Sequence, residues 1–102
     1  MEARYVISPY DHVIRNISER EGNDWRLMSA IAYHESRFTA DIVSRRGARG
    51  LMQIMPAVAR QFDVVSEEAL LDPETNVLLA NKVWNRIDST LDLRPEFPRK
   101  IE

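Results

Sequence analysis

The sequence predicts a mainly α-helical protein of one small domain, and three observations support this fold class. Apolar residues recur at helical rather than alternating spacing over most of the chain. Serine and aspartate cap signals, several of them followed by proline, precede these segments. The 102 residues suffice for one modest core but leave no room for a second. We therefore expect four or five helices, on the order of three turns each, and one irregular loop in the middle.

Two helices are predicted before the irregular loop. Ser8-Pro9 is typical of an N-cap followed by a first-turn proline, and Gly22 is a natural helix stop. Asp24 is expected to cap a second helix that runs to about Phe38. Between Thr39 and Gly50 the periodicity disappears, and the glycines there indicate a folded loop or a small hairpin.

The remaining helices follow the loop. Pro56 opens a third helix that reaches about Phe62, and Ser66–Leu71 predicts one short turn begun by a capping serine. Asp72-Pro73 starts the longest helix, whose apolar face includes Trp84 as a core anchor. The predicted divisions are a flank at 1–7, a partial helical domain at 8–93, and a proline-containing tail or linker at 94–102.

Composition and charge exclude several classes of function. Fourteen basic and sixteen acidic residues leave a net charge of −2, which argues against a phosphate-neutralising surface, so we predict no nucleic-acid partner. The chain has no cysteine, which excludes disulfides and thiolate metal sites. No apolar run approaches the roughly 18 residues of a membrane span, and no signal-peptide core is present. We expect any targeting segment to lie outside this chain.

Glu35 occupies an unusual place on the second predicted helix. At roughly 100° per residue it falls within about 20° of Met28 and close to Ile31, inside the apolar stripe. Burial there would favour the protonated carboxyl, which is the form that a general acid needs. The alternative is a glutamate at the rim of the core with no chemical role.

A metal site is the first alternative that the sequence raises at this glutamate. His34-Glu35 matches the start of the H-E-x-x-H zinc motif, but Phe38 stands where the second histidine is required. The remaining histidine, His12, lies on another predicted helix. We therefore predict no metal site and no cofactor.

The residues after Glu35 carry a recognisable pattern. Glu35-Ser36-Arg37-Phe38 is followed by Ser44 and then by the run 47–56, which reads GARGLMQIMP. This pattern resembles the soluble lytic transglycosylase (SLT) domain family, in which E-S-x-F, a serine and G-A-x-G-L-M-Q-[IL]-M-P follow one another. The residues before it look similar to the catalytic domain of the membrane-bound lytic transglycosylase F branch.

The resemblance implies a lysozyme-like α fold of the SLT and goose-type lysozyme kind. It also implies non-hydrolytic cleavage of the MurNAc–GlcNAc β-1,4 bond of peptidoglycan, with formation of 1,6-anhydro-MurNAc. In that reaction Glu35 acts first as general acid and then as base, so a second catalytic carboxylate in Asp41 or Asp63 is not needed. The implied partner is the peptidoglycan glycan strand, and the implied location is the periplasm or cell envelope.

The same resemblance assigns roles to five more residues. Ser44, Gln53 and Met55 match substrate-binding positions, with an amide and a thioether suited to a saccharide groove. For Ser44 the alternative is a hydroxyl that closes a loop turn. Gly47 and Gly50 are expected to allow backbone geometry closed to other residues and close approach to substrate.

The resemblance stops before the downstream A-Y-N-x-G motif of the family, which has no counterpart here. We therefore predict a domain whose C-terminal part is missing, and a chain that is weakly active or inactive alone. Incompletely covered apolar faces around Ile31 and Trp84 predict pairing with another copy. Two alternatives stay open: a truncated wall-binding module without catalysis, and a hydrolytic lysozyme on the same fold.

Overall fold

The computed structural model describes residues 6–91, with side chains placed as far as Ile87. The described chain forms four α-helices and one 3₁₀ turn, and no strand. In chain order these are α1 (Asp11–Arg20), α2 (Trp25–Ser36), α3 (Pro56–Arg60), the 3₁₀ turn (Glu68–Leu71) and α4 (Pro73–Leu91). Between α2 and α3 the chain folds into a loop with isolated antiparallel bridges from Arg49 to Val43 and to Ile54. The predicted mainly α fold with one irregular central loop is confirmed.

Helix α1 begins two residues later than Ser8-Pro9 predicts, at Asp11. The N-cap residue is Tyr10 and has no side-chain cap, so the Ser8 hydroxyl acts just before the helix, where its Oγ accepts a hydrogen bond from the backbone N–H of Tyr10 at 3.0 Å. In return, the Asp11 carboxylate accepts the N–H of Ser8 at 2.8 Å. Pro9 and Tyr10 therefore form a capped turn that leads into the helix.

Helix α2 begins as predicted and ends early. The Asp24 carboxylate accepts the backbone N–H of Arg26 at 2.9 Å, which is the predicted N-cap. The helix ends at Ser36 and not at Phe38, because Arg37 and Phe38 have positive φ angles of 53° and 59°. This left-handed backbone cannot continue a right-handed helix.

Helices α3 and α4 begin at the predicted residues, whereas the 3₁₀ turn begins at Glu68, later than the predicted capping Ser66 implies. Pro56 is the first residue of α3, which is only five residues long and so shorter than expected. The Ser66 hydroxyl accepts the N–H of Ala69 at 3.2 Å, and the Asp72 carboxylate accepts the N–H of Thr75 at 3.0 Å. These caps satisfy backbone donors that the first turn of a helix leaves without partners.

Helices α1, α2 and α4 pack together around the hydrophobic core. Among the described residues, the fully enclosed apolar side chains are Ile14, Met28, Ala32, Leu51, Ala59, Leu70 and Val77. Each of the four α-helices contributes to this set, while Leu51 and Leu70 come from the segments between α-helices. The central loop is therefore part of the core and is held against α4.

A buried polar network joins α4 to the turn between α1 and α2. The Asn81 side chain is completely buried, and its Oδ1 accepts a hydrogen bond from Asn23 Nδ2 at 2.8 Å. Its Nδ2 donates to Ser18 Oγ at 3.3 Å and to the carbonyl of Val77 at 2.9 Å. These contacts satisfy a buried carboxamide that would otherwise destabilise the core.

None of the helices within residues 6–91 combines the length and hydrophobicity needed to cross a bilayer. The predicted tail 94–102, and residues 1–5 of the predicted flank, lie outside the described residues.

Candidate active site

An open groove of 340 Å³ lies between α2, the loop that leads into α3, and α4. Most of its lining is apolar and includes Met28, Ile31, Met52, Met55, Trp84 and Ile87. Among the described residues that line it, Glu35 and Gln53 carry the polar side chains, and the indole of Trp84 adds one N–H group. The groove thus brings one carboxylic acid and one carboxamide together in an apolar setting.

Glu35 is exposed in this structure, so the expectation that it is buried is wrong. Among the α2 residues that line the groove, exposure rises towards the C-terminus of the helix. Met28 is 1% exposed, Ile31 is half-buried and Glu35 is exposed. The stripe leaves the closed core and continues along the wall of the groove, where Glu35 lies. The helical pattern therefore identified the face correctly but not its degree of burial.

Glu35 is the lone carboxylate among the described groove residues. Neither Asp41 nor Asp63 lines the groove. Within residues 6–91 the Glu35 side chain forms no hydrogen bond or ion pair, so its oxygens are open to a ligand. A single carboxyl in this position can donate a proton to a bound polar oxygen and later accept one.

Ser36 fixes the end of α2 directly after Glu35, a role that sequence reasoning did not assign. Its side chain is 5% exposed, and its Oγ donates a hydrogen bond to the carbonyl of Ala32 at 3.2 Å. The same Oγ accepts the backbone N–H of Thr39 at 3.1 Å. The hydroxyl thereby joins the last turn of α2 to the reversed chain beyond it. No sequence signal marked this role, because the left-handed backbone of Arg37 and Phe38 is seen only in the structure.

Gln53 and Met55 line the groove on the loop side, as the sequence predicts for substrate-binding residues. Gln53 Nε2 donates hydrogen bonds to the carbonyl of Gly50 at 3.0 Å and to that of Ile42 at 3.4 Å. Its Oε1 has no partner in the described part of the chain and remains an acceptor. Met55 is 38% exposed and offers a thioether surface just before α3. The side chains thus supply one acceptor and one apolar contact.

Ser44 does not reach the groove lining in this structure. Its Oγ accepts the N–H of Ala48 at 3.0 Å, and its carbonyl accepts the N–H of Gly47 at 2.9 Å. Gly47 has a φ of +95°, which this turn requires. Ser44 and Gly47 therefore shape the loop at a distance from the groove, as the alternative interpretation of Ser44 states.

Gly50 is buried against α4, with a φ of +84°. A Cβ at this position would lie 2.9 Å from Asn76 Cγ and would also meet the carbonyl of Leu70. Asn76 is completely buried, and its Oδ1 accepts the N–H of Met52 at 2.6 Å. Its Nδ2 donates to the carbonyls of Arg49 and Leu70 at 2.9 and 2.7 Å. The close approach that was expected between Gly50 and substrate is thus made between Gly50 and Asn76 in this structure.

Trp84 differs from its predicted role as a core anchor alone. It packs against the core, yet it is only half-buried and its remaining surface lines the groove.

The predicted absence of a metal site stays a prediction. His12 and His34 lie on different helices, and within the described residues no three His, Asp or Glu side chains are gathered as ligands.

Comparisons with known proteins agree with this architecture. The family model described as the transglycosylase SLT domain matches residues 12–96. A membrane-bound lytic murein transglycosylase F of Pseudomonas fluorescens is 32% identical over 89 residues, which are 87% of this chain and 18% of that protein. A namesake from Alteromonas mediterranea is 41% identical over 54 residues, or 53% of this chain and 11% of that protein. The chain spans less than a fifth of these curated relatives.

A solved structure shows the same likeness in three dimensions. It is that of an inactive glutamate-to-glutamine mutant of the lytic transglycosylase Slt from Pseudomonas aeruginosa. The likeness has a TM-score of 0.72 at 27% identity and covers 82% of this chain and 15% of that one. It supports the predicted lysozyme-like helical fold. With the match of the family model over most of its length, this chain belongs to the transglycosylase SLT domain family.

Proposed function

We propose that this chain carries the catalytic glutamate of a peptidoglycan lytic transglycosylase, with Glu35 as general acid and then as base. The observation that carries the proposal is the lone carboxylate of Glu35 on the wall of an apolar groove, unpartnered by any described residue. The inactivity of the similar Pseudomonas aeruginosa enzyme after one glutamate-to-glutamine change supports a reaction that depends on a glutamic acid.

One carboxyl group is enough for this reaction because the substrate supplies the nucleophile. Glu35 donates its proton to the glycosidic oxygen, the bond from that oxygen to the anomeric carbon of MurNAc breaks, and the GlcNAc side leaves as an alcohol. The carboxylate then removes the proton of the MurNAc C6 hydroxyl, whose oxygen bonds to the anomeric carbon. This gives the 1,6-anhydro ring and returns Glu35 to its acid form, and no water is consumed.

Gln53 and Met55 are proposed to hold the saccharide against Glu35. Because Gln53 uses its amide N–H groups on backbone carbonyls, its Oε1 is left to accept a hydrogen bond from a sugar hydroxyl or an acetamido N–H. Met55 and Trp84 present apolar surface to the faces of the sugar rings. Such contacts supply the positioning that acid–base catalysis needs.

Two alternatives lead to different products. A hydrolytic lysozyme activates water, usually with a second carboxylate beside the acid, and leaves reducing ends. A wall-binding module without chemistry leaves the glycan intact and binds it equally well without Glu35. The groove's single carboxylate among the described residues favours the transglycosylase reaction.

The test is product analysis after incubation of purified sacculi with this chain and with its Glu35→Gln variant. We expect 1,6-anhydro-muropeptides from the unsubstituted chain, and their loss in the variant with binding retained. Reducing-end products would instead support hydrolysis. Unchanged binding with no product from either chain would support the wall-binding module.

We further propose slow turnover and association between copies of this chain. Along the groove Met55 and Ile87 are 38% and 48% exposed, so a bound glycan strand is incompletely enclosed. Exposed apolar surface of this kind also favours self-association.

Peptidoglycan as the proposed substrate and the membrane-bound relatives support a location in the cell envelope.

A further inference from the structure

We propose that Asn76 is a positioning residue for the saccharide groove: from inside the fold it holds the loop that presents Gln53 and Met55 opposite Glu35. The inference rests on the proposed function and extends it to a residue that does not line the groove. Asn76 is 0% exposed and lies near the start of α4, with the 3₁₀ turn on one side and the loop on the other.

The contacts of Asn76 use both N–H donors of its carboxamide and engage its oxygen once. Its Oδ1 accepts from Met52 N–H at 2.6 Å, and its Nδ2 donates to the carbonyls of Arg49 at 2.9 Å and Leu70 at 2.7 Å. All three partners are backbone groups, so the contacts fix the course of the main chain. An asparagine side chain supplies one acceptor and two donors, whereas a leucine of similar size supplies none.

These three hydrogen bonds, called the Asn76 clamp below, determine where Gln53 and Met55 lie in the groove. Gln53 follows Met52 directly, has a φ of 55°, and places its own amide on the carbonyl of Gly50. Gly50 in turn rests against the Asn76 side chain, with no space for a Cβ between them. If Asn76 releases the loop, Gln53 and Met55 move relative to α2, while Glu35 keeps its own helical support. The expected loss is therefore one of saccharide binding more than of proton transfer.

The chain offers a matched control in Asn81. It lies on the same helix, is also 0% exposed, and likewise accepts one hydrogen bond and donates two. Its partners are the carbonyl of Val77 and the side chains of Ser18 and Asn23, and none of these residues lines the groove. Substitution of either asparagine should therefore lower stability, but only substitution of Asn76 should change the geometry of the groove.

The first experiment compares Asn76→Ala with Asn81→Ala on solubilised glycan strands, with rates corrected for the folded fraction. We expect KM to rise about tenfold in Asn76→Ala, with kcat within about threefold of the unsubstituted chain, which is the signature of lost binding shared by ground and transition states. Both parameters should stay within about twofold in Asn81→Ala. Equal effects of the two substitutions would overturn the proposal.

Binding measured in the Glu35→Gln background keeps the test independent of turnover. There the Kd for uncleaved strands should also rise about tenfold with Asn76→Ala but not with Asn81→Ala. An unsubstituted chain that yields no anhydro product contradicts the proposed function, whereas equal Kd values in the two double variants contradict the role of Asn76.

Amide hydrogen exchange supplies a further readout, and its first measurement, on the unsubstituted chain, does not depend on either variant folding. In the unsubstituted chain the Met52 N–H should exchange as slowly as the core amides of α4, since its acceptor is fully buried. In a folded Asn76→Ala chain that protection should fall more than a hundredfold. Rapid exchange of Met52 in the unsubstituted chain would show that no clamp exists.

Discussion

The hydroxyl of Ser36 accepts the backbone N–H of Thr39 at 3.1 Å and closes the chain reversal that follows Glu35. Because the same hydroxyl donates to the carbonyl of Ala32, it joins the last turn of α2 to the loop. The position of Glu35 at the helix terminus therefore depends on its neighbour. The E-S pair thus combines a groove carboxylate with the contact that holds it in place.

We expect Ser36→Ala to lower the free energy of unfolding by about 1–3 kcal/mol, because one buried and one part-buried hydrogen bond are lost with the hydroxyl. Activity per folded molecule should also fall, since the last turn of α2 becomes less well fixed. Ser66→Ala is the control, as its hydroxyl also accepts an N–H three residues along but lies outside the groove lining. Urea unfolding and sacculus turnover measure the two effects. If Ser36→Ala shows the predicted loss of unfolding free energy but no loss of activity per folded molecule, Ser36 does not position Glu35.

Substitution of Gln53 should weaken saccharide binding without removing the acid. In Gln53→Met the shape is nearly kept while the acceptor Oε1 and the loop contacts of Nε2 are lost. We expect KM to rise roughly two- to tenfold, the value of one neutral hydrogen bond of about 0.5–1.5 kcal/mol. Gln61→Met removes an exposed amide that pairs with Arg86 outside the groove lining, and it should leave KM unchanged. A matching change in both variants would exclude a specific role for Gln53.

The two loop glycines should differ in their cost of substitution. Both have positive φ, so either change to alanine costs roughly 1–2 kcal/mol of backbone strain. Nothing lies within 4 Å of a Cβ at Gly47, whereas at Gly50 the Cβ meets Asn76 and Leu70. We expect Gly50→Ala to cost a further ~1–3 kcal/mol from overpacking. Chemical denaturation of both variants measures this difference, and equal losses would contradict the tight packing of Gly50 against α4.

Trp84 should report on occupancy of the groove. In Trp25→Phe the remaining indole is that of Trp84, which is half-buried on the groove wall, so glycan strands should change its emission. In Trp84→Phe the remaining indole is that of Trp25, whose ring centroid lies 5.7 and 5.6 Å from the guanidinium carbons of Arg15 and Arg26 and which is not in the groove lining, so it should respond little. A titration followed by fluorescence distinguishes the two. A response confined to Trp25 would place the saccharide elsewhere on the molecule.

Features with local causes could be predicted from the sequence. The cap at Asp24 and the helix start at Pro56 depend on residues a few positions apart, and the structure has both. The end of α2 was predicted too late, since nothing near Arg37 in the sequence marks the left-handed turn there. Periodicity alone shows how a helix is oriented, but it does not show whether the facing space is filled.

The site could be predicted only in part for the same reason. The face of Glu35 follows from the spacing within α2, but its exposure depends on where α4 and the loop leave the groove open. The role of Asn76 depends on Met52, which lies 24 positions away in the sequence. The available signal was an asparagine next to Val77 on the apolar face of α4. Only the fold shows that its carboxamide binds the backbone of the loop at Arg49 and Met52 and that of the 3₁₀ turn at Leu70.

The most direct test of the central claim measures the oxygen source of the cleaved glycan ends. Sacculi are incubated in water enriched in heavy oxygen, at high protein concentration and for long times because turnover is expected to be slow. The products are then analysed by mass spectrometry. The account predicts 1,6-anhydro-MurNAc ends without heavy oxygen, formed by the unsubstituted chain and absent with Glu35→Gln. Heavy oxygen incorporated at newly formed reducing ends, or anhydro ends formed equally by the Glu35→Gln chain, would contradict it.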